Sequence, residues 1–133
     1  MTSRPGAVDD RWSETGSTSV EMAILVPIVT LIIGLVFQVA LLFHAQNTVN
    51  TAAEEAVEAA KIDGASEADG AAGANAVLAR TGGLRNVTIT IDRGPDLVTV
   101  TISGDSPTLV GHWRVTSTAQ SPAERFVDPG ERQ

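Results

Sequence analysis

A run of 22 residues without a single charge, Met22 to Phe43, constrains this 133-residue chain more than any other feature in it. At about 1.5 Å per residue, a helix over the run is roughly 33 Å long, against a bilayer hydrocarbon core of roughly 30 Å. The run therefore reads as a membrane-spanning helix. A secretory signal is the competing reading, but its apolar core normally holds about 7 to 15 residues. Its best exit candidate here, Phe43-His44-Ala45, puts a bulky aromatic where a small residue is required. Any cleavage is better placed before the run than after it, which leaves the helix on the mature protein.

Leader and membrane helix together take about a third of the chain, so the remainder suffices for one small module and not for a multi-domain enzyme. The net charge of −7 and the absence of a Lys/Arg cluster exclude a nucleic-acid partner, whose phosphates require a positive stripe. There is no cysteine, and the two histidines, His44 and His112, are far apart in sequence, so neither a metal site nor a cofactor is expected. Glu54 and Glu58 share a helical face, but a solvated face accounts for them better than acid/base chemistry, which needs a pocket to shift their pKa values. The sequence has no phosphate-binding glycine loop after a strand and no recognisable Ser/His/Asp set. It reads as a non-enzyme.

Met1 to Thr15 is polar and loop-prone and is expected to be disordered. Arg4 and Arg11 precede the span, whereas the first basic residue after Phe43 is Lys61, with three glutamates between. The positive-inside rule then places the N-terminus in the cytoplasm and the remainder outside. Within the run, Pro27 removes a backbone donor and is expected to bend the helix. Thr30, Gly34 and Gln38 recur every four residues and form a small-and-polar stripe, either a helix-packing face or tolerated residues of a plain anchor.

The helical pattern continues past Phe43. Val49, Ala52, Ala53, Ala56, Val57, Ala60 and Ile62 recur at spacings of three and four, opposite Glu54, Glu55 and Glu58, until Gly64. One helix is expected from Thr18 to about Asp63, roughly 70 Å long at about 1.5 Å per residue. Ser66, with Asp69 three residues on, caps a second, Ala-rich helix through Arg80, which Gly70 and Gly73 weaken. Beyond Gly82-Gly83 the period changes to two. Val87, Ile89 and Ile91 alternate with polar residues, Arg93 to Asp96 makes a turn, and Val98, Val100 and Ile102 alternate again. A third run, His112 to Gln120, puts Trp113, Val115, Ser117 and Ala119 on one side after a loop at Gly104 to Pro107. The chain from Ser121 is expected to fray.

The fold class is thus α+β: a long N-terminal helix, transmembrane in its first half and amphipathic in its second, packed by a small antiparallel sheet of two to three strands. The expected division is a cytoplasmic leader over 1–16, the membrane half of the helix over 17–43, an extracytoplasmic α+β module over 44–127, and a flexible tail over 128–133.

Glu21 stands directly against the apolar run. Taken alone it reads as a headgroup-level charge favoured by the positive end of a helix dipole, although carboxylates at membrane helices are usually paired or functional. Its surroundings point further. Gly16, with Val20 and Glu21 ahead of Met-Ala-Ile-Leu-Val-Pro27, resembles the class III signal of type IV pilin-like proteins. Ser19-Val-Glu-Met-Ala-Ile-Leu-Val-Pro27 is similar to the signature of TadE-like minor pilins or pseudopilins of the tight-adherence (Flp) pilus system. The Asn47 to Ala60 helix, the Val98 to Ile102 strand and Ala123 to Val127 are similar to that family as well.

The resemblance implies cleavage by a membrane prepilin peptidase between Gly16 and Ser17, which makes Glu21 the fifth residue of the mature chain. It implies that Glu21 pairs with the new amine of a neighbouring subunit in an apolar helix bundle, that the partners are other pilin-like subunits and the pilus assembly machinery, and that the role is adhesion and surface attachment. The leader departs from the pattern in having no Lys or Arg beside Gly16. Two alternatives stand beside this reading: an uncleaved single-pass membrane protein whose outer module binds an envelope partner, and a pseudopilin of a type II secretion-like machine.

Overall fold

A computed structural model of the chain describes residues 11–124, with side chains from Ser19 onward. These residues divide into two compact units, one up to Phe37 and one from Gln38. The elements are α1 (Arg11–Lys61), α2 (Glu67–Thr81), β1 (Arg85–Arg93), β2 (Leu97–Ser106) and β3 (Trp113–Pro122).

α1 has 51 residues and is assigned without a break through Pro27. It begins at Arg11 rather than near Thr18, so Arg11 to Thr15, expected to be disordered, are helical. Extending an existing helix adds a hydrogen bond for each residue fixed and avoids the cost of a new nucleus. The expectation for Met1 to Asp10 lies outside the described residues. In the first unit the helix is apolar on every side: from Val20 to Phe37 its large hydrophobic side chains are 44–74% exposed. A helix apolar all round needs an apolar surround. Among the described residues it is the one helix long and apolar enough to cross a membrane, with a mean hydropathy of 2.7 over an 18-residue window.

The second unit is an α+β module. Its buried side chains form one cluster: Ala45, Val49, Ala52, Ala53, Ala56, Val57 and Ala60 from α1, Ala74 and Val77 from α2, and Val98, Val100, Ile102 and Val115 from the sheet. Every member of the expected α1 stripe is buried except Ile62, which is exposed at the helix end. Glu54, Glu55 and Glu58 face solvent, as their positions opposite the stripe require.

Ser66 caps α2. Its hydroxyl accepts from the Asp69 backbone N–H, and Asp69 accepts from the Ser66 N–H at 2.7 Å, so both halves of the capping box are made. These bonds from Ser66 hold the Asp69 carboxyl below its ordinary range. Gly70 and Gly73 prove to be contact points rather than mere weaknesses. A Cβ on Gly70 would lie 2.9 Å from the Ala60 Cβ and 3.1 Å from the Ala56 carbonyl oxygen, and one on Gly73 would lie 3.1 Å from the Glu55 carbonyl oxygen. The missing side chains are what let α2 lie against the backbone of α1.

The sheet is an antiparallel meander in the order β1-β2-β3. β2 is central and alternates buried and half-buried residues all the way to Ser106, so the loop expected at Gly104 to Pro107 is a correction. Gly104 stays in the strand because its bare Cα fits beneath Val87 and Leu84, and Asp105 stays because both neighbouring strands bond its carboxylate. The connection is Pro107 to His112 instead. β3 also runs on to Pro122, the Ala123 N–H donates to the Asp96 oxygen at 3.1 Å, and the Glu124 N–H donates to the Lys61 oxygen at 3.0 Å. Ser121 to Glu124 is therefore held by backbone hydrogen bonds rather than frayed. The remainder of the expected tail, with Phe126 and Val127, lies outside the described residues.

At the far end of the hairpin, Arg93 donates through Nη2 to the Ile62 oxygen at 2.9 Å and through Nη1 to the Ala65 oxygen. A guanidinium on these carbonyls suits the negative end of α1 and ties the sheet to the helix connection.

Candidate functional site

Gly16, Ser17 and Glu21 all lie on α1, within its first three turns. Ser17 and Glu21 are four residues apart and so share a helical face, about 6 Å apart along the axis. Glu21 is exposed, and the large apolar side chains begin immediately after it. Its carboxylate thus marks the polar edge of an all-round apolar helix.

The stripe residues differ from one another in setting. Thr30 donates its hydroxyl to the Val26 oxygen at 2.8 Å, an internal helix bond that leaves the hydroxyl little to offer a partner. Gly34 has nothing within 4 Å of where a Cβ would be, so this side of the helix is bare within the chain. In the second unit, Gln38 accepts a hydrogen bond from the Leu109 backbone N–H at 2.8 Å, while its Nε2 is buried without a partner. Spacing along the helix did not reveal that bond, because it joins residues 71 positions apart.

A second polar cluster, also unread in the sequence, crosses the three strands. Asp105 on β2 accepts from Asn86 Nδ2 on β1 at 2.8 Å and from Arg114 Nε on β3 at 3.2 Å. Asn86 reaches it from a left-handed backbone, φ 49°, at the irregularity between Arg85 and Thr88. The cluster borders a cleft of about 340 Å³ lined by Arg85, Pro107, Thr108 and His112 among others. The Asn86 hydrogen bond above all, then Arg114, lowers the Asp105 carboxyl below its ordinary value of 3.8. A lowered carboxylate pKa stabilises the fold above the unfolded value, and this contribution disappears as pH falls through the folded one. Asp105→Asn should therefore flatten the loss of stability below about pH 3.8, seen as thermal melts of wild type and variant that converge in acid. Parallel melting curves at every pH would remove Asp105 from the explanation.

Among the described residues no group of three or more His, Asp or Glu is placed to hold a metal ion. The face of the sheet away from the helices carries a hydroxyl ladder in which Thr90, Thr101 and Thr118 are register partners. The Thr101 and Thr118 hydroxyls are 3.2 Å apart.

The decisive comparison concerns α1. A family model described as TadE-like protein matches residues 16–58. The chain carries a TadE-like segment. The match starts on Gly16, includes Glu21 and the whole apolar run, and ends on the core-facing half of α1, so the TadE-like segment coincides with the helix and excludes α2 and the sheet. No curated protein and no solved structure matches the chain. The apolar helix within the TadE-like segment is compatible with single-pass membrane association.

Proposed function

We propose that this protein is a TadE-like minor pilin or pseudopilin, a non-catalytic subunit cut by a prepilin peptidase and used in assembling a tight-adherence pilus for surface attachment. The observation that carries the reading is the placement of Gly16 and Glu21 directly before the apolar run, inside the stretch that matches the family. The N-terminus lies in the cytoplasm and the α+β module outside the membrane. Before assembly the helix anchors the subunit; afterwards it packs among other helices, with Thr30, Gly34 and Gln38 on one stripe.

Cleavage after Gly16 exposes an ammonium on Ser17. In an apolar bundle, Glu21 of one subunit and the Ser17 ammonium of its neighbour would each be costly unpaired, so pairing fixes the register of one helix against the next. α1 runs through the scissile bond in its second turn, so the peptidase acts on a helix end opened over its first two turns. Such an opening costs little, because helix ends fray and glycine is about 1 kcal/mol poorer than alanine in a helix.

N-terminal sequencing of the protein from its native membranes should begin at Ser17. Gly16→Leu should accumulate as the uncut precursor, whereas Glu21→Ala should be cut and then fail to enter the pilus. A native chain that begins at Met1, with pilus assembly indifferent to both substitutions, would establish the uncleaved membrane protein instead.

A further inference from the structure

We propose that the β2–β3 connection, Pro107 to His112 with the adjoining Trp113, is a second membrane contact that seats in the lipid interface beside the last turns of the apolar run. The inference rests on the reading of that run as a membrane span and adds a separate surface to it. Leu109, Val110 and Trp113 are 62%, 82% and 55% exposed, although a soluble module of this size has every reason to bury them. The loop that carries them is not loose. Thr108 donates its hydroxyl to the Gly111 oxygen, and Gly111, at φ 83°, takes a backbone turn that suits glycine.

The position of the loop is fixed by the bond from the Leu109 N–H to Gln38. Gln38 stands five residues before the end of the run at Phe43, about 7.5 Å along the helix. That depth matches the roughly 5–10 Å to which interfacial apolar groups enter the boundary between headgroups and acyl chains. A backbone N–H at that depth has no water to bond, and the Gln38 carbonyl oxygen supplies the missing acceptor. This gives a physical reason for a glutamine inside an otherwise apolar stretch. Beside the loop, Val39, Leu42, Phe43 and Trp113 line an open groove of about 350 Å³ that continues the apolar surface of the run, with Arg114 at its edge. Phe43 is 67% exposed and adds to the apolar surface, while Trp113 carries the amphipathic ring that membrane interfaces favour.

The test uses the full chain reconstituted in vesicles of phosphatidylcholine and phosphatidylglycerol, with Trp12→Phe so that Trp113 is the sole tryptophan. Lipids brominated near the headgroup should quench Trp113 emission by about half or more, lipids brominated near the chain end should quench it weakly, and aqueous iodide should have little effect. Adding Leu109→Asp with Val110→Asp, both at exposed positions that the core does not need, should release Trp113 to iodide.

A second chain, with Trp12→Phe, Trp113→Phe and Ile32→Trp at the middle of the run, reports on the span itself and should be quenched by the deep bromines. If Ile32→Trp is quenched by lipid while Trp113 is quenched only by iodide, the loop proposal is overturned and the span stands. Trp113 shielded from both quenchers means that a second copy of the chain covers the loop, which also overturns the proposal. If iodide alone quenches both positions, the span reading fails and the loop contact falls with it.

Discussion

Ile102→Ala is expected to destabilise the module by about 3 to 4 kcal/mol, within the range for large-to-small substitutions in well-packed cores. Ile102 is fully buried on the central strand, between Ile89 and Ser117 in register. The other buried members of the cluster are alanine and valine, so the isoleucine is its largest fully buried member and its truncation removes the most volume from the centre of the sheet. A domain of this size is stabilised by about 5–15 kcal/mol in total, so the loss is a large fraction of the whole. In micelles, the melting midpoint read by far-ultraviolet circular dichroism should fall by more than about 12 °C. Ile62→Ala, at an exposed position on the helix end, should change stability by less than about 0.5 kcal/mol. Equal effects at the two positions would contradict the placement of the core.

Gly70→Val should cost about 2 to 3 kcal/mol, as overpacking does. The first added carbon already meets the Ala60 Cβ and the Ile91 Cδ1, each at 2.9 Å, and the backbone oxygen of Ala56 at 3.1 Å. Ile91 is the tip of a flexible side chain and can move aside; Ala60 and the Ala56 carbonyl move only if α2 lifts from α1. Gly70→Ala is milder, because about 1 kcal/mol of helix propensity is gained against the same contacts. If crowding is the cause, Gly70→Val should cost less in an Ala60→Gly background than in the wild type, a coupling that a double-mutant cycle measures. Independent, additive effects would point to a cause other than the contact.

Features with a local cause were legible in the sequence. The apolar run shows itself by length alone, the core stripe of α1 by a period near 3.6, the strands by a period of 2, and the start of α2 by Ser66 and Asp69. The capping box could be read because both of its halves lie within four residues. Gly16 and Glu21 stood out for a similar reason, as a fixed spacing against an abrupt change in polarity.

What escaped depends on partners distant in sequence. Gly70 and Gly73 look like helix defects until Ala56, Ala59 and Ala60 are seen facing them; the spacing of small residues on both helices was the available signal. Asp105 looked like a turn residue because aspartate, serine and proline adjoin it, and only Asn86 and Arg114 explain why the strand continues. Gln38 shares a stripe with Thr30 and Gly34 by its spacing, and that spacing says nothing of the bond its carbonyl accepts from Leu109. Periodicity finds faces, and it is blind to which loop folds back onto them.

The return of the chain to Lys61 has a practical corollary. β3 starts at Trp113, which lines a groove with Phe43, and passes Gln46, whose Nε2 donates to the Thr116 oxygen at 3.1 Å. It finishes where the Glu124 N–H meets the Lys61 oxygen. The strand therefore runs alongside α1 in the same direction, and the described chain leaves the module at the end opposite the Leu109 loop. A reporter or affinity handle joined directly after Glu124 would be carried from that opposite end. Under the proposed orientation it should be accessible to antibody on intact cells, at the end of the module away from the Leu109 loop.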